Sequence, residues 1–212
     1  MTPAEKFPLA WARLPLVAIL RGMRPDEAMA LGATLTQAGW PLIEVPLNSP
    51  DALKSISRLA GAYPQALIGA GTVLRLEQVD AVFRAGGQMI VAPNFNADVV
   101  RAALRLGMIC LPGVMTATEA LAALDAGAHG LKLFPAEMIA PAAVKALRAV
   151  LPPRTLLLPV GGIVPGAMAA YRAAGANGFG IGSALYQPGM NAAEVGAAAQ
   201  GFIASWTGTM RA

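Results

Sequence analysis

The chain has 212 residues, 56% of them hydrophobic and 13% charged, which suffices to bury a large core in one domain spanning residues 1–212. Its formal charge of +4 comes from dispersed basic residues, which argues against nucleic acid, and no apolar run is long enough for a membrane helix. A single cysteine excludes an internal disulfide, and Glu5, Lys6 and Arg13 interrupt the N-terminus where a signal peptide needs a continuous apolar stretch, so a reducing cytoplasmic location is expected.

Taken in chain order, short apolar runs alternate with alanine-rich stretches throughout. Residues 1–13 are expected to form a helix covering the bottom of the sheet that follows, with Trp11 packed under it. Strand candidates lie at 15–21, 42–47, 67–71, 89–92, 108–111, 130–134, 156–160 and 177–181. Each is mostly apolar without strict alternation, the pattern of a parallel strand covered on both faces. Helices are expected near 25–38, 50–61, 76–85, 96–106, 116–126, 141–150, 165–174 and 192–205.

Local signals mark the helix ends. Arg24-Pro25-Asp26-Glu27 and Ser49-Pro50-Asp51 place proline and then acids in what reads as a first turn, and Thr116-Ala117-Thr118-Glu119 has capping-box spacing. Glycine follows the expected last turn at Gly39, Gly86, Gly107, Gly127 and Gly175, where a left-handed cap is wanted. Eight strand–helix units close naturally into a (β/α)8 TIM barrel with an N-terminal helix; a doubly wound open sheet is the alternative.

The informative residues are ionisable groups inside apolar strands. Of four lysines only Lys132 sits mid-strand, in Gly130-Leu131-Lys132-Leu133-Phe134-Pro135. Alternation turns Leu131 and Leu133 toward the helices and Lys132 and Phe134 inward. Desolvation lowers a lysine's pKa, and a neutral amine is what Schiff-base chemistry requires. Glu44 is the acid at the centre of an apolar strand, and Arg21 ends the first strand on the face of Val17 and Ile19. One Lys, one Glu and one Arg inside a barrel near its C-terminal rim make a candidate site. The alternative is a buried Lys–Glu ion pair that only fills the core.

Gly161-Gly162 follows the seventh strand candidate and Gly180-Ile181-Gly182-Ser183 ends the eighth. Barrel phosphate sites are often built from these two loops, with backbone N–H groups aimed at the anion. Gly69-Ala70-Gly71-Thr72 has a similar form, and Thr72 offers a hydroxyl to a substrate carboxylate or carbonyl. Cys110 lies in an apolar run and His129 in a turn, so both read as structural. With one His and one Cys no tight zinc site can be drawn, and no Gly-x-Gly-x-x-Gly suggests a nicotinamide cofactor.

These blocks together resemble a known family. PLVAILRG (15–22), EVPLNSP (44–50), IGAGTVL (68–74), VAPN (91–94), LPG (111–113), LKLFPAE (131–137), VGGI (160–163) and IGSALY (181–186) are similar to the pyruvate aldolases acting on 2-keto-3-deoxy-6-phosphosugar acids. The resemblance implies that Lys132 forms the Schiff base and Glu44 moves protons. It implies further that Arg21, Thr72, Pro93, Phe134, Val160, Gly161, Gly162, Gly182 and Ser183 bind substrate. Asn48 and Val160 are similar to the galactonate-type branch, where the gluconate type has arginine and threonine. The implied products are pyruvate and glyceraldehyde 3-phosphate, with no cofactor or metal and a homotrimeric assembly. The alternatives are the gluconate epimer as main substrate, or a non-covalent phosphosugar isomerase or epimerase.

Overall fold

A computed structural model describes residues 1–208. It opens on helix α1 (Pro3–Arg13), capped reciprocally: the Thr2 hydroxyl accepts from the Glu5 N–H, and the Glu5 carboxylate accepts from the Thr2 N–H. Then come β1 (Leu16–Ile19), α2 (Ala28–Gln37), β2 (Leu42–Pro46), α3 (Ala52–Ala62), β3 (Leu67–Gly71), α4 (Leu76–Arg84), β4 (Met89–Val91) and α5 (Ala97–Arg105). The second half runs β5 (Ile109–Leu111), β6 (Gly113–Val114), α6 (Ala117–Asp125), β7 (Leu131–Leu133), α7 (Pro141–Val150), β8 (Leu157–Pro159), α8 (Met168–Ala173), β9 (Phe179–Ile181) and α9 (Ala192–Gly208). Short 3-10 turns, Ala136–Met138 and Pro165–Ala167, follow β7 and β8.

The architecture is α/β with parallel strand pairing. The expected single eight-stranded sheet is two ladders: a six-stranded sheet in the order β5-β4-β3-β2-β1-β9 and a three-stranded sheet β6-β7-β8. The expected fifth strand stops at Leu111 because Pro112 has no N–H to give the ladder; pairing resumes at Gly113, and the Pro112 carbonyl accepts from the Lys132 N–H at 2.9 Å. On the other side of the three-stranded sheet, a single parallel bridge joins Val160 to Gly180.

Two buried clusters follow from strand alternation. Leu16, Ala18, Ile43, Val45, Ile68, Ala70, Leu131, Leu133, Leu157 and Phe179 face helices in the larger one. The opposite faces contribute Val17, Leu42, Leu67, Met89, Ile109 and Leu158 to a second cluster that α1 covers with Phe7 and Ala10, and Trp11 packs against it as expected. Lys6 fastens α1 in place, its ammonium donating to the Pro64 carbonyl at 2.6 Å and to Gln88 Oε1 at 3.0 Å. Register places Lys132 beside Gly113 and Leu158, and Glu44 beside Ile19 and Gly69, all on this second face.

The five glycines expected at helix ends all have positive φ, from 69° at Gly107 to 105° at Gly175. The acids expected in the first turns of α2 and α3 lie just before them instead. Glu27 and Asp51 are the residues preceding those helices, and neither side chain caps the turn. Glu27 accepts from the Arg24 N–H at 2.8 Å, closing a turn of its own around Pro25 ahead of α2.

Candidate active site

Lys132 is 4% exposed and Glu44 1%. Burial lowers the Lys132 ammonium's pKa; Glu44 opposes that shift and Arg21 adds to it. Burial raises the Glu44 carboxyl to about 7 against the opposing pull of Lys132 and Arg21. Two buried ionisable groups would normally be expected to pair. Yet among the described residues the ion pairs within 4.0 Å lie at the surface, on Arg24 and Arg101, and none joins Lys132 to Glu44. Glu44 Oε2 has no hydrogen-bond partner, and Lys132 Nζ lies 4.6 Å from the centre of the Phe134 ring. The two groups sense each other's charge without neutralising it, which is unlike a pair that only fills a core.

Glycine makes room for this arrangement. A methyl group at Gly71 would overlap the Glu44 carboxylate, and one at Gly113, beside Lys132, would overlap the Pro93 carbonyl. At Gly69 it would strike the Met89 backbone, and at Gly180 it would come within 2.7 Å of Val160 Cγ2. The upper part of the inner face is thus bare where the lower part is filled by leucine, valine and methionine.

Above it opens a cavity of about 480 Å³. Lys132, Arg21, Phe134, Val160, Gly161, Gly162, Gly182 and Ser183 all line it, so eight of the eleven expected site residues converge. Glu44, Thr72 and Pro93 do not line it. Glu44 is buried against Gly71; Thr72 is half-buried with φ 57, and Pro93 backs onto Gly113.

Gly161 and Gly162 have φ 111° and 61°, values that side-chain-bearing residues rarely adopt. Among the described residues no acceptor engages the N–H of Gly161, Gly162 or Ser183, leaving three amide donors that an anion could meet. Arg21, at the end of β1, is held from the β2 side by Asn48, whose Oδ1 accepts from Arg21 Nη1 at 2.7 Å. The adjoining Gly22 N–H donates to Ser49 Oγ at 2.9 Å, a second bond between the two loops.

The remaining candidates are structural. Cys110 faces the helices and its thiol is pushed up to about 12 by burial, far from a thiolate nucleophile. His129 accepts from the Cys110 N–H at 3.2 Å through Nδ1 and packs edge-on against Phe7, at the end of the fold covered by α1. Among the described residues no three His, Cys, Asp or Glu side chains gather as a metal site. The cavity residues not legible as such in the sequence include Glu137 and Tyr186, both on loops where no strand alternation points a side chain.

Comparison with known proteins places this geometry among relatives. The family model described as KDPG and KHG aldolase matches residues 10–199. The chain is 47% identical over 195 residues to 2-dehydro-3-deoxy-6-phosphogalactonate aldolase of Escherichia coli (strain K12), covering 92% of this chain and 95% of that one. It is 46% identical over 192 residues to the "Probable 2-dehydro-3-deoxy-6-phosphogalactonate aldolase" of Rhizobium meliloti (strain 1021), with coverage of 90% and 91%. Among solved structures, one described as "Native KDPGal structure" superposes with a TM-score of 0.93 at 45% identity, covering 94% of this chain and 98% of that one.

Proposed function

The chain belongs to the KDPG and KHG aldolase family, and from that premise we propose that it is the galactonate-type lyase, cleaving 2-dehydro-3-deoxy-6-phosphogalactonate to pyruvate and glyceraldehyde 3-phosphate. The observation that carries the reading is the unpaired, desolvated Lys132 within electrostatic reach of a Glu44 that titrates near neutrality. Neutral Lys132 attacks the C2 ketone and water leaves, giving an iminium. Electrons of the C3–C4 bond flow into it, and the proton of the C4 hydroxyl passes to Glu44 through one water, because the carboxylate stands behind the cavity wall, as the aldehyde forms. The resulting enamine takes a proton at C3, and water releases pyruvate and regenerates the lysine.

At the other end of the substrate, the amides of Gly161, Gly162 and Ser183 bind the phosphate, with Gly182 giving close approach and Arg21 adding charge. Phe134 flanks the amine, and Thr72 and Pro93 border the pyruvate end. We read the two ladders as one (β/α)8 barrel in a single domain. The Val160–Gly180 bridge, the one-residue joint at Pro112 and an inner cluster drawn from both sheets support this. The family's homotrimer is the proposed assembly, for which Leu74, Leu76 and Phe83 offer exposed apolar surface. No helix among the described residues is long and apolar enough to cross a membrane, and the cytoplasm is the proposed location.

The direct test is borohydride reduction in the presence of pyruvate. A mass increment is expected on the peptide containing Lys132. An increment on Lys54 or Lys145 instead, or none, overturns the covalent mechanism and leaves the non-covalent isomerase.

The epimer is tested separately. Val160 is 6% exposed, lines the cavity and immediately precedes the glycine loop. A branched apolar side chain there gives the C4 hydroxyl no partner, whereas threonine would favour the epimer whose oxygen it meets. Val160→Thr is expected to move the ratio of specificity constants toward the gluconate epimer by roughly two- to tenfold, the value of one hydrogen bond. A wild type that already prefers the gluconate epimer contradicts the galactonate assignment.

A further inference from the structure

Glu137 occupies a position that the mechanism does not use. It lines the same cavity as Lys132 and lies over the double glycine: a methyl group at Gly162 would sit 3.0 Å from its Cγ and 3.2 Å from its Oε1, and one at Gly161 would overlap the carboxylate. The backbone beneath it is fixed. The Tyr171 hydroxyl donates toward the carbonyls of Ala136 and Ile139, 3.0 Å from each, pinning the Ala136–Met138 turn from the α8 side. Glu137 is exposed to the cavity side and, like Glu77, has no hydrogen-bond or ion-pair partner among the described residues, but unlike Glu77 it lines the cavity.

A carboxylate at the edge of an anion site repels the anion unless it faces a donor. Arg21, reaching in from the β1 side, answers the phosphate charge; Glu137 reaches in from the β7 side, across the glycine loop. With C2 at Lys132 and the phosphate at the loops after β8 and β9, the group beside that loop is the carbon next to the phosphate-bearing one. Its hydroxyl is a free donor, because the hydroxyl that gives up its proton in cleavage is the one on C4. Resting on the substrate reading above, we propose that Glu137 is a specificity-determining residue that accepts a hydrogen bond from the substrate's C5 hydroxyl. Phosphorylated aldehydes lacking that hydroxyl are then poor partners in the reverse reaction, because they leave the carboxylate facing phosphate without a donor between them.

The test uses the intact enzyme in the condensation direction. Wild type, Glu137→Ala and Glu137→Gln are supplied with pyruvate and either glyceraldehyde 3-phosphate or 3-phosphooxypropanal, which lacks the hydroxyl. The alanine variant is expected to lose roughly ten- to hundredfold in kcat/KM for the hydroxylated aldehyde, the range for a hydrogen bond to a charged group. With the deoxy aldehyde it should hold or gain, since a repulsive charge is removed. Glutamine, which can still accept, should fall between. Equal losses on both aldehydes, or no change on either, overturn the proposal. Borohydride trapping of pyruvate alone, which has no such hydroxyl, should match wild type in both variants. A wild type that traps nothing faults the lysine reading instead, and the aldehyde ratio still decides the role of Glu137.

Discussion

Replacing Lys132 by methionine is expected to leave almost no cleavage and a protein at least as stable. Methionine has similar length and no amine, so the iminium cannot form and the C3–C4 electrons have no sink. The loss should reach roughly five to six orders of magnitude, the scale seen when a covalent nucleophile is removed and only binding remains. The stability effect has a separate cause. Lys132 is 4% exposed, burial lowers its pKa, and among the described residues no carboxylate lies within ion-pair distance. An apolar side chain of like volume removes the desolvation cost of the buried amine, so the midpoint is expected to hold or rise. A structural ion pair predicts the reverse, because taking away one partner strands the other at a cost of about 3–5 kcal/mol. Pyruvate release and a denaturant midpoint measured on one preparation separate the two, and a lowered midpoint with retained turnover contradicts the catalytic reading.

Glu44→Gln is expected to fold normally and turn over about two to four orders of magnitude more slowly, the share of the barrier a positioned acid–base group supplies. Its pH signature is distinct. In the wild type the folded carboxyl titrates near 7, above its ordinary 4.5, so the unfolded chain releases this proton first as pH rises. The contribution of Glu44 to stability is therefore complete below about 4.5 and falls away as pH climbs to about 7, by up to about 3 kcal/mol. Glutamine has no proton to release, so the variant's stability should lack that decline, and the neutral limb of the wild-type rate profile should vanish with it. A variant within a few-fold of wild-type rate would reduce Glu44 to a neighbour that only tunes Lys132.

Much of this was legible because period-two alternation and burial act on the same residues. Lys132 and Glu44 stood out as ionisable groups in otherwise apolar runs, and strand geometry then set their direction. The five helix-ending glycines were readable because left-handed backbone is costly for other residues. The expected fifth strand ended at Leu111, as β5 does, but the resumption of pairing at Gly113–Val114 was missed, because two residues after a proline are too short a run to read as a strand. Glu137 was missed for a different reason. Its block was visible as LKLFPAE, but the residue lies in a 3-10 turn whose orientation depends on Tyr171, 34 positions later in the chain. The separation of Glu44 from Lys132 is likewise tertiary, set by glycines on neighbouring strands.

Those inward glycines have a consequence for how this scaffold can change. Gly69, Gly71, Gly113 and Gly180 have already reduced the upper wall to bare backbone, so it has nothing further to lose by truncation. Adaptation toward bulkier substrates has to come from trimming Ile19, Phe134 or Val160, or from lengthening the loops above them. At the four glycines any added carbon meets backbone, the Glu44 carboxylate or Val160, so mutational libraries should find those positions closed while the other three remain open to variation.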